Sequence, residues 1–225
     1  MIRMKIAFAL RLVDDYSGKD IRKNSFLFSI GERIVHPVEK ENGLYIFLEP
    51  QEAVTRVHLE GPDYHPCTVQ VEKKHLSPEE PVAEVRMYRR PGRGGCEYLE
   101  GQLPKEDAPF PRKVCFLREK PTGLTFRELR RIGEEYWFLF QGFTREDLTG
   151  KPCMLENRGE FFPFVIMEKR GINEYRVEPE EKPPEQLEKG GALVRIYRTV
   201  TDQNGAYAIP VGPGEGKEAG KVIPL

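Results

Sequence analysis

The chain has 225 residues, 39% of them hydrophobic and 32% charged, so it can bury a core in one large domain or two small ones beneath a highly charged surface. Its 35 Lys and Arg against 36 Asp and Glu give a net charge of −1, with no basic excess to neutralise a phosphate backbone, which excludes general nucleic-acid binding. No apolar run approaches the span of a bilayer, and 19 Pro with 21 Gly suit short strands and turns better than long helices.

In chain order, residues 5–13 alternate. Ile6, Phe8, Leu10 and Leu12 share one face and Lys5, Ala7, Ala9 and Arg11 the other, which predicts a half-buried strand. The alternation also argues against a secretory signal, because the apolar stretch meets Arg11 and Asp14-Asp15 without a small-residue cleavage site. The expectation is cytoplasmic as synthesised. Further strands are predicted at 25–30, 33–35, 44–48, 54–60 and 67–72. Asn42-Gly43 is read as a type I′ hairpin turn, whose two central residues need positive φ. Val57 and Leu59 face inward in one strand, and Val69 and Val71 in another.

Residues 73–82 carry charge and two prolines, Pro78 and Pro81, and read as a linker. Beyond it, 83–89 is a strand, 90–110 a loop rich in Pro and Gly, and 112–118 a short strand. Thr125 followed by Glu128 fits a capping box, and Phe126, Leu129 and Ile132 then form one stripe of a short helix over 126–132. Residues 136–140 and 159–169 are apolar strands, and Pro163 places the second at an edge or a bulge. A strand at 173–177 precedes a solvated excursion over 178–191. A hairpin follows, 193–200 and 206–210 around Asp202-Gln203-Asn204-Gly205, and a mobile tail covers 212–221. Residues 83–88 (AEVRMY) resemble 192–197 (ALVRIY), as sequence-distant partners or the marks of a repeat.

Three turn motifs occur in family-like order. LRLVDDYSGKDI over 10–21 is similar to a V-x-D-x-x-x-G-x-P-I opening, with Asp20 where proline is usual. Asn42-Gly43-Leu44-Tyr45 is similar to a D-x-x-G-x-Y/F hairpin, with Lys40 in place of the acidic residue, and Gly61-Pro62-Asp63-Tyr64 to a Gly-Tyr turn before a last strand. Residues 10–72 thus resemble the carboxypeptidase regulatory-like modules, which are prealbumin-like (transthyretin-like) β-sandwiches. Asp202 to Tyr207 matches the same hairpin with its acidic residue present. The predicted strands give an all-β protein of two units: a sandwich over 1–75, prealbumin-like as the resemblance implies, and a second, mostly-β unit over 80–225 with long Pro/Gly-rich loops. The resemblance also implies a non-catalytic scaffold with stabilising, adhesive or assembly roles. Without a signal peptide, that suggests a component of a larger particle such as a phage-tail-like or contractile injection assembly.

Catalytic and cofactor patterns do not emerge. His36, His58, His65 and His75 form no metal-ligand spacing, although His58 and His65 sit on neighbouring predicted strands. Cys67, Cys96, Cys115 and Cys153 form no CxxC pair, and free thiols are the expectation. The glycine-rich 212–217 lacks the order of a phosphate-binding loop, and Arg90-Pro91-Gly92-Arg93-Gly94-Gly95 reads as a hairpin loop rather than an anion cradle. No catalytic, metal or cofactor residue is assigned, and no cofactor is expected. The remaining candidate is a binding surface built from Tyr136, Trp137, Phe138 and Phe140, because that stretch is apolar on both faces and is either a core strand or a partner-covering one. Protein partners are expected, carbohydrate is the alternative, and neither nucleic acid nor a membrane span is.

Overall fold

A computed structural model describes residues 6–22, 25–40, 43–48, 52–92, 95–104, 111–157, 159–183, 187–214 and 219–225. The protein is all-β, as expected, with several antiparallel sheets. No helix is long and apolar enough to cross a membrane among the described residues. The chain divides into two compact units, one of Met1–Asp14 with Lys19–Gly94 and one of Asp15–Gly18 with Gly95–Leu225.

The first unit is a sandwich of two sheets. Strand β1 (Phe8–Asp14) runs through the middle of one sheet, against β2 (Lys19–Asp20) and β6 (Leu44–Phe47), with β5 (Val38–Lys40) outside β6. The other sheet has the order β4 (Arg33–Val35), β3 (Leu27–Ile30), β7 (Val54–Glu60) and β8 (Cys67–Glu72). Alternation explains which side chains meet between them. In β7, Thr55, Val57 and Leu59 are buried while Val54, Arg56, His58 and Glu60 are exposed. Phe8, Leu10 and Leu12 join Phe28, Tyr45, Phe47, Val57 and Leu59 in one core. Rings carry much of that packing: Phe8 stacks on Phe47 at 4.7 Å, and Phe28 lies 4.8 Å from Tyr45 and edge-on to Phe47. Strand β1 is more deeply covered than a half-buried strand, since Arg11 is its one exposed residue.

The boundary differs from the expected one near 75–80. Strand β9 (Val82–Met87) pairs in parallel with β1 over Ala9–Asp14, so the first unit runs on to Gly94. A parallel partner needs a long connection, and the sequence around it carries no hairpin signal to announce it.

In the second unit six strands close on themselves. They are β12 (Leu124–Ile132), β13 (Glu135–Gly142), β16 (Glu174–Pro179), β15 (Glu160–Arg170), β14 (Pro152–Asn157) and β17 (Leu193–Val200), paired antiparallel in that order. Closure comes from β12 returning to the start of β17. Phe126 N–H donates to Gly191 O at 2.7 Å, Gly190 N–H to Phe126 O at 2.8 Å and Thr122 N–H to Leu193 O at 2.9 Å. A closed barrel leaves fewer open edges. Its interior holds Phe126, Phe138, Phe140, Phe164, Tyr175 and their aliphatic neighbours. Strand β17 continues the sheet to β11 (Lys113–Arg118) and β19 (Gly220–Pro224). The ribbon β10 (Glu97–Gln102) with β18 (Ala206–Val211) contributes to a further core around Phe116, Tyr197 and Ile209.

Several local readings change. The helix over 126–132 is strand β12. A β-bulge at Arg127 shifts the register between Phe126 and Glu128, so inward residues run Leu124, Phe126, Leu129, and the step of three imitates a helical stripe. Part of the expected mobile tail is β19, and part of the expected loop over 90–110 is β10. Pro163 does not mark a bulge, which falls between Ile166 and Glu168; it sits at the end of the β15–β16 ladder, where its missing N–H costs nothing and its carbonyl still accepts Glu180 N–H at 3.3 Å, while it pairs with Met154 of β14 on the other side. AEVRMY and ALVRIY are not partners, since one lies in β9 and the other ends in β17.

The two family-like hairpins share one turn. Gly43 N–H donates to Lys40 O and Gly205 N–H to Asp202 O, each at 3.2 Å, and both glycines have positive φ, 72° and 87°. The first is therefore a three-residue connection between Lys40 and Leu44 rather than a two-residue type I′ turn, with Glu41 and Asn42 outside the described residues. A Cβ on Gly43 would also come within 2.5 Å of Ile21 O. Asp202 shows what the acidic residue does: its Oδ1 accepts the amides of Asn204 and Ala206 at 2.8 and 2.9 Å.

Candidate functional site

The predicted aromatic surface is core. Phe138 and Phe140 point into the barrel and are 0% and 3% exposed, and Tyr136 packs half-buried against the same cluster. Trp137, on the opposite face of β13, is 5% exposed; its Nε1–H donates to Glu135 at 3.2 Å and the Arg170 guanidinium covers its ring at 5.7 Å. Both faces of strand β13 are therefore covered, Phe138 and Phe140 by the barrel core and Trp137 by the Arg170 side chain. The four side chains do not form one exposed face.

Two carboxylate–arginine sites are built on the buried carboxylates Asp14 and Asp15. In the first unit Asp14 accepts Arg89 Nε–H at 2.6 Å, Arg89 Nη2–H at 3.1 Å and the Tyr64 hydroxyl at 3.0 Å. Burial, then the neighbouring carboxylate of Asp14, pushes the Tyr64 phenol well above its ordinary range, so it stays a donor. In the second unit Arg198 donates to both oxygens of Asp15 and to Glu180, with the Nε–Oδ2 contact at 3.1 Å. Lys113 lies 3.4 Å from Glu180, its ammonium pulled below the usual lysine range by burial and then by Arg198. Glu180, expected on a solvated excursion, is thus a counter-ion. The signal for both sites lay in the sequence: A-x-V-R-x-Y-R occurs at 83–89 and 192–198, and in each copy the final arginine takes one of the adjacent aspartates, Asp14 or Asp15.

The cysteines are thiols rather than disulfides. Burial pushes Cys67 up to about 11, and Cys115 and Cys153 up to about 12, so all three stay protonated and weakly nucleophilic near neutrality. Iodoacetamide at about pH 8 should therefore leave these three unlabelled in the native protein and label them in urea, as read by peptide mass spectrometry. Native labelling of Cys153 would contradict its burial.

His58 Nδ1 sits 3.1 Å from Thr68 Oγ1, and His65 is part-buried and held below the ordinary imidazole range by desolvation and then Arg90. Among the described residues no group of three or more His, Cys, Asp or Glu side chains is placed to hold a metal ion. Arg93 and Gly94 of the arginine–glycine loop, and residues 215–218 of the glycine-rich tail, lie outside the described residues.

The concave surface that sequence reasoning missed lies at one side of the first unit, where the chain passes from β4 to β5 through His36-Pro37. A groove of about 420 Å³ has Phe26, Phe28 and Tyr45 in its wall and His36 and Glu39 at its rim. A second, of about 350 Å³, lies against Ile34, Pro37 and Ile46. The Tyr45 hydroxyl donates to Glu39 Oε1 at 3.5 Å, and burial, then Glu39, pushes it up to about 12. Strands β4 and β5 are the outer strands of their sheets at this side, and Leu27, Ile34 and Val38 are exposed there at 48%, 53% and 45%. A three-residue strand on each side of a proline was the available signal for this edge.

Comparison of the chain with protein-family models, with curated proteins and with solved structures gave no match.

Proposed function

We propose that the protein is a non-enzymatic assembly component, and that it engages a protein partner through the β4–β5 side of its first unit. The observation that carries this reading is the juxtaposition of two open strand edges, two adjoining grooves and three exposed aliphatic side chains. An open edge offers unpaired backbone N–H and C=O groups to an extended segment, and flanking grooves take its alternate side chains. The occupant is therefore an extended segment of another protein. Large apolar side chains at an edge are a liability that charged residues usually relieve, which favours a covered edge. The prealbumin-like resemblance of residues 10–72, a scaffold family, supports the same role. A carbohydrate-binding face made of Tyr136, Trp137, Phe138 and Phe140 loses its basis with the burial of the last three and the packing of Tyr136 against the same core.

Purification from the native source tests the proposal. The wild-type protein should elute within a multi-subunit complex, and the double substitution Ile34→Lys with Val38→Lys should release it as a folded monomer. Both side chains are exposed, so the fold should tolerate the change. A wild-type protein that elutes alone, or a double variant that stays in the complex, would refute it.

A further inference from the structure

The repeated A-x-V-R-x-Y-R segment differs between its copies at one informative place. In the first copy Arg86 pairs with Glu84, two residues earlier, at 2.9 Å. In the second copy that earlier position is Leu193, inside the barrel core, and the corresponding Arg195 has no carboxylate within ion-pair distance among the described residues. Arg195 instead lies over the Tyr197 ring, 4.4 Å from its centroid, and its buried Nε–H has no hydrogen-bond partner among the described residues. A guanidinium taken out of water without a partner is costly, and stacking on a ring offsets only part of that cost.

Other cations converge on the same place. Arg195 stands opposite Cys153 in the β14–β17 ladder, so it shares the face of β14 that Cys153 occupies. Lys151, two residues before Cys153, lies close enough to Arg195 that this charge, after burial, depresses its ammonium below the ordinary lysine range. Arg118, on the neighbouring strand β11 and almost fully buried, lies one step beyond the Leu117–Ile196 pair, beside Arg195. Among the described residues, Glu146 and Asp147 are carboxylates near these cations. Glu146 lies 3.7 Å from Arg118, and Asp147 accepts the Thr149 amide at 3.0 Å. Arg195 and Lys151 are half-buried rather than sealed, so a small anion can reach them.

We propose that Arg195, Lys151 and Arg118 form a binding site in the second unit for a tetrahedral oxyanion, a phosphate or sulfate group. A planar guanidinium held by Tyr197 presents two of its donors to such a group, and the lysine supplies a mobile point charge beside it. The chemistry is the same for the free ion and for a phosphomonoester, which differ in the room they need.

Inorganic phosphate, sulfate and phenyl phosphate are titrated into the full-length protein at constant ionic strength, with chloride as the control salt, by calorimetry and by thermal unfolding. A saturable single site should appear for phosphate and sulfate and raise the unfolding temperature. Arg195→Gln and Lys151→Met should each weaken it by about tenfold or more, while Arg130→Gln, an exposed arginine paired with Glu128, should leave it unchanged. Tighter binding of phenyl phosphate would place the group on a larger molecule, and tighter binding of phosphate would make it the free ion. The wild-type titration needs no variant to fold: absence of saturable binding of all three anions overturns the proposal. So does binding that survives in both Arg195→Gln and Lys151→Met.

Discussion

Replacing Arg198 by methionine should lower the stability of the second unit by about 3–5 kcal/mol, because it takes the guanidinium away from a buried carboxylate. Arg198 is 3% exposed and Asp15 1%. The guanidinium spans Asp15 and Glu180, so its loss removes the bidentate charge-assisted bonds to Asp15 while Lys113 still lies beside Glu180. The double variant Asp15→Leu with Arg198→Met should be less destabilised than Arg198→Met alone, since replacing both members of a buried pair removes the uncompensated charge. Urea unfolding followed by Trp137, the chain's single tryptophan, reports on this unit. A single variant within about 1 kcal/mol of wild type would mean that water or a neighbouring group already satisfies Asp15.

Phe138→Ala should cost about 3–5 kcal/mol in the same assay. Phe138 is fully buried, and its ring lies 5.0 Å from Phe164, 5.3 Å from Phe126, 6.1 Å from Phe140 and 6.2 Å from Phe162. Truncation would open a cavity in a closed barrel whose strands are held on both sides and relax little. The measurement separates core from binding face, because a ring on a binding face would lose affinity with little change in stability. Unfolding at the wild-type urea midpoint would contradict its place in the core.

These two sites differ in how much of them the sequence disclosed. The apolar run at 136–140 was visible, and the dilemma it posed was genuine, because a strand apolar on both faces reads alike whether neighbours or a partner cover it. The side chains that the other barrel strands send inward decided it, and the nearest of those strands in sequence, β12, was hidden by its bulge. The arginine–carboxylate sites were half disclosed. Each A-x-V-R-x-Y-R copy is plain to see, yet Arg89 and Asp14 are 75 residues apart and Arg198 and Asp15 are 183, and no local pattern pairs them. The groove beside His36-Pro37 showed in the sequence only as short strands around a proline, since it arises where two short edge strands from different sheets lie side by side.

By itself the sequence determined what depends on a few neighbouring residues. Alternation set the buried face of β7, and Gly43 and Gly205 closed their hairpins because only residues tolerant of positive φ can. Tertiary structure alone decided the parallel docking of β9 on β1, the closure of the barrel through Phe126 and Gly191, and the stacking of Arg195 on the Tyr197 ring. The reason is physical. A turn or an alternating face is governed by sterics and solvent exposure within one short segment, whereas strand partners, barrel closure and the fate of a buried charge depend on which distant segments compete for the same backbone donors and the same dry space.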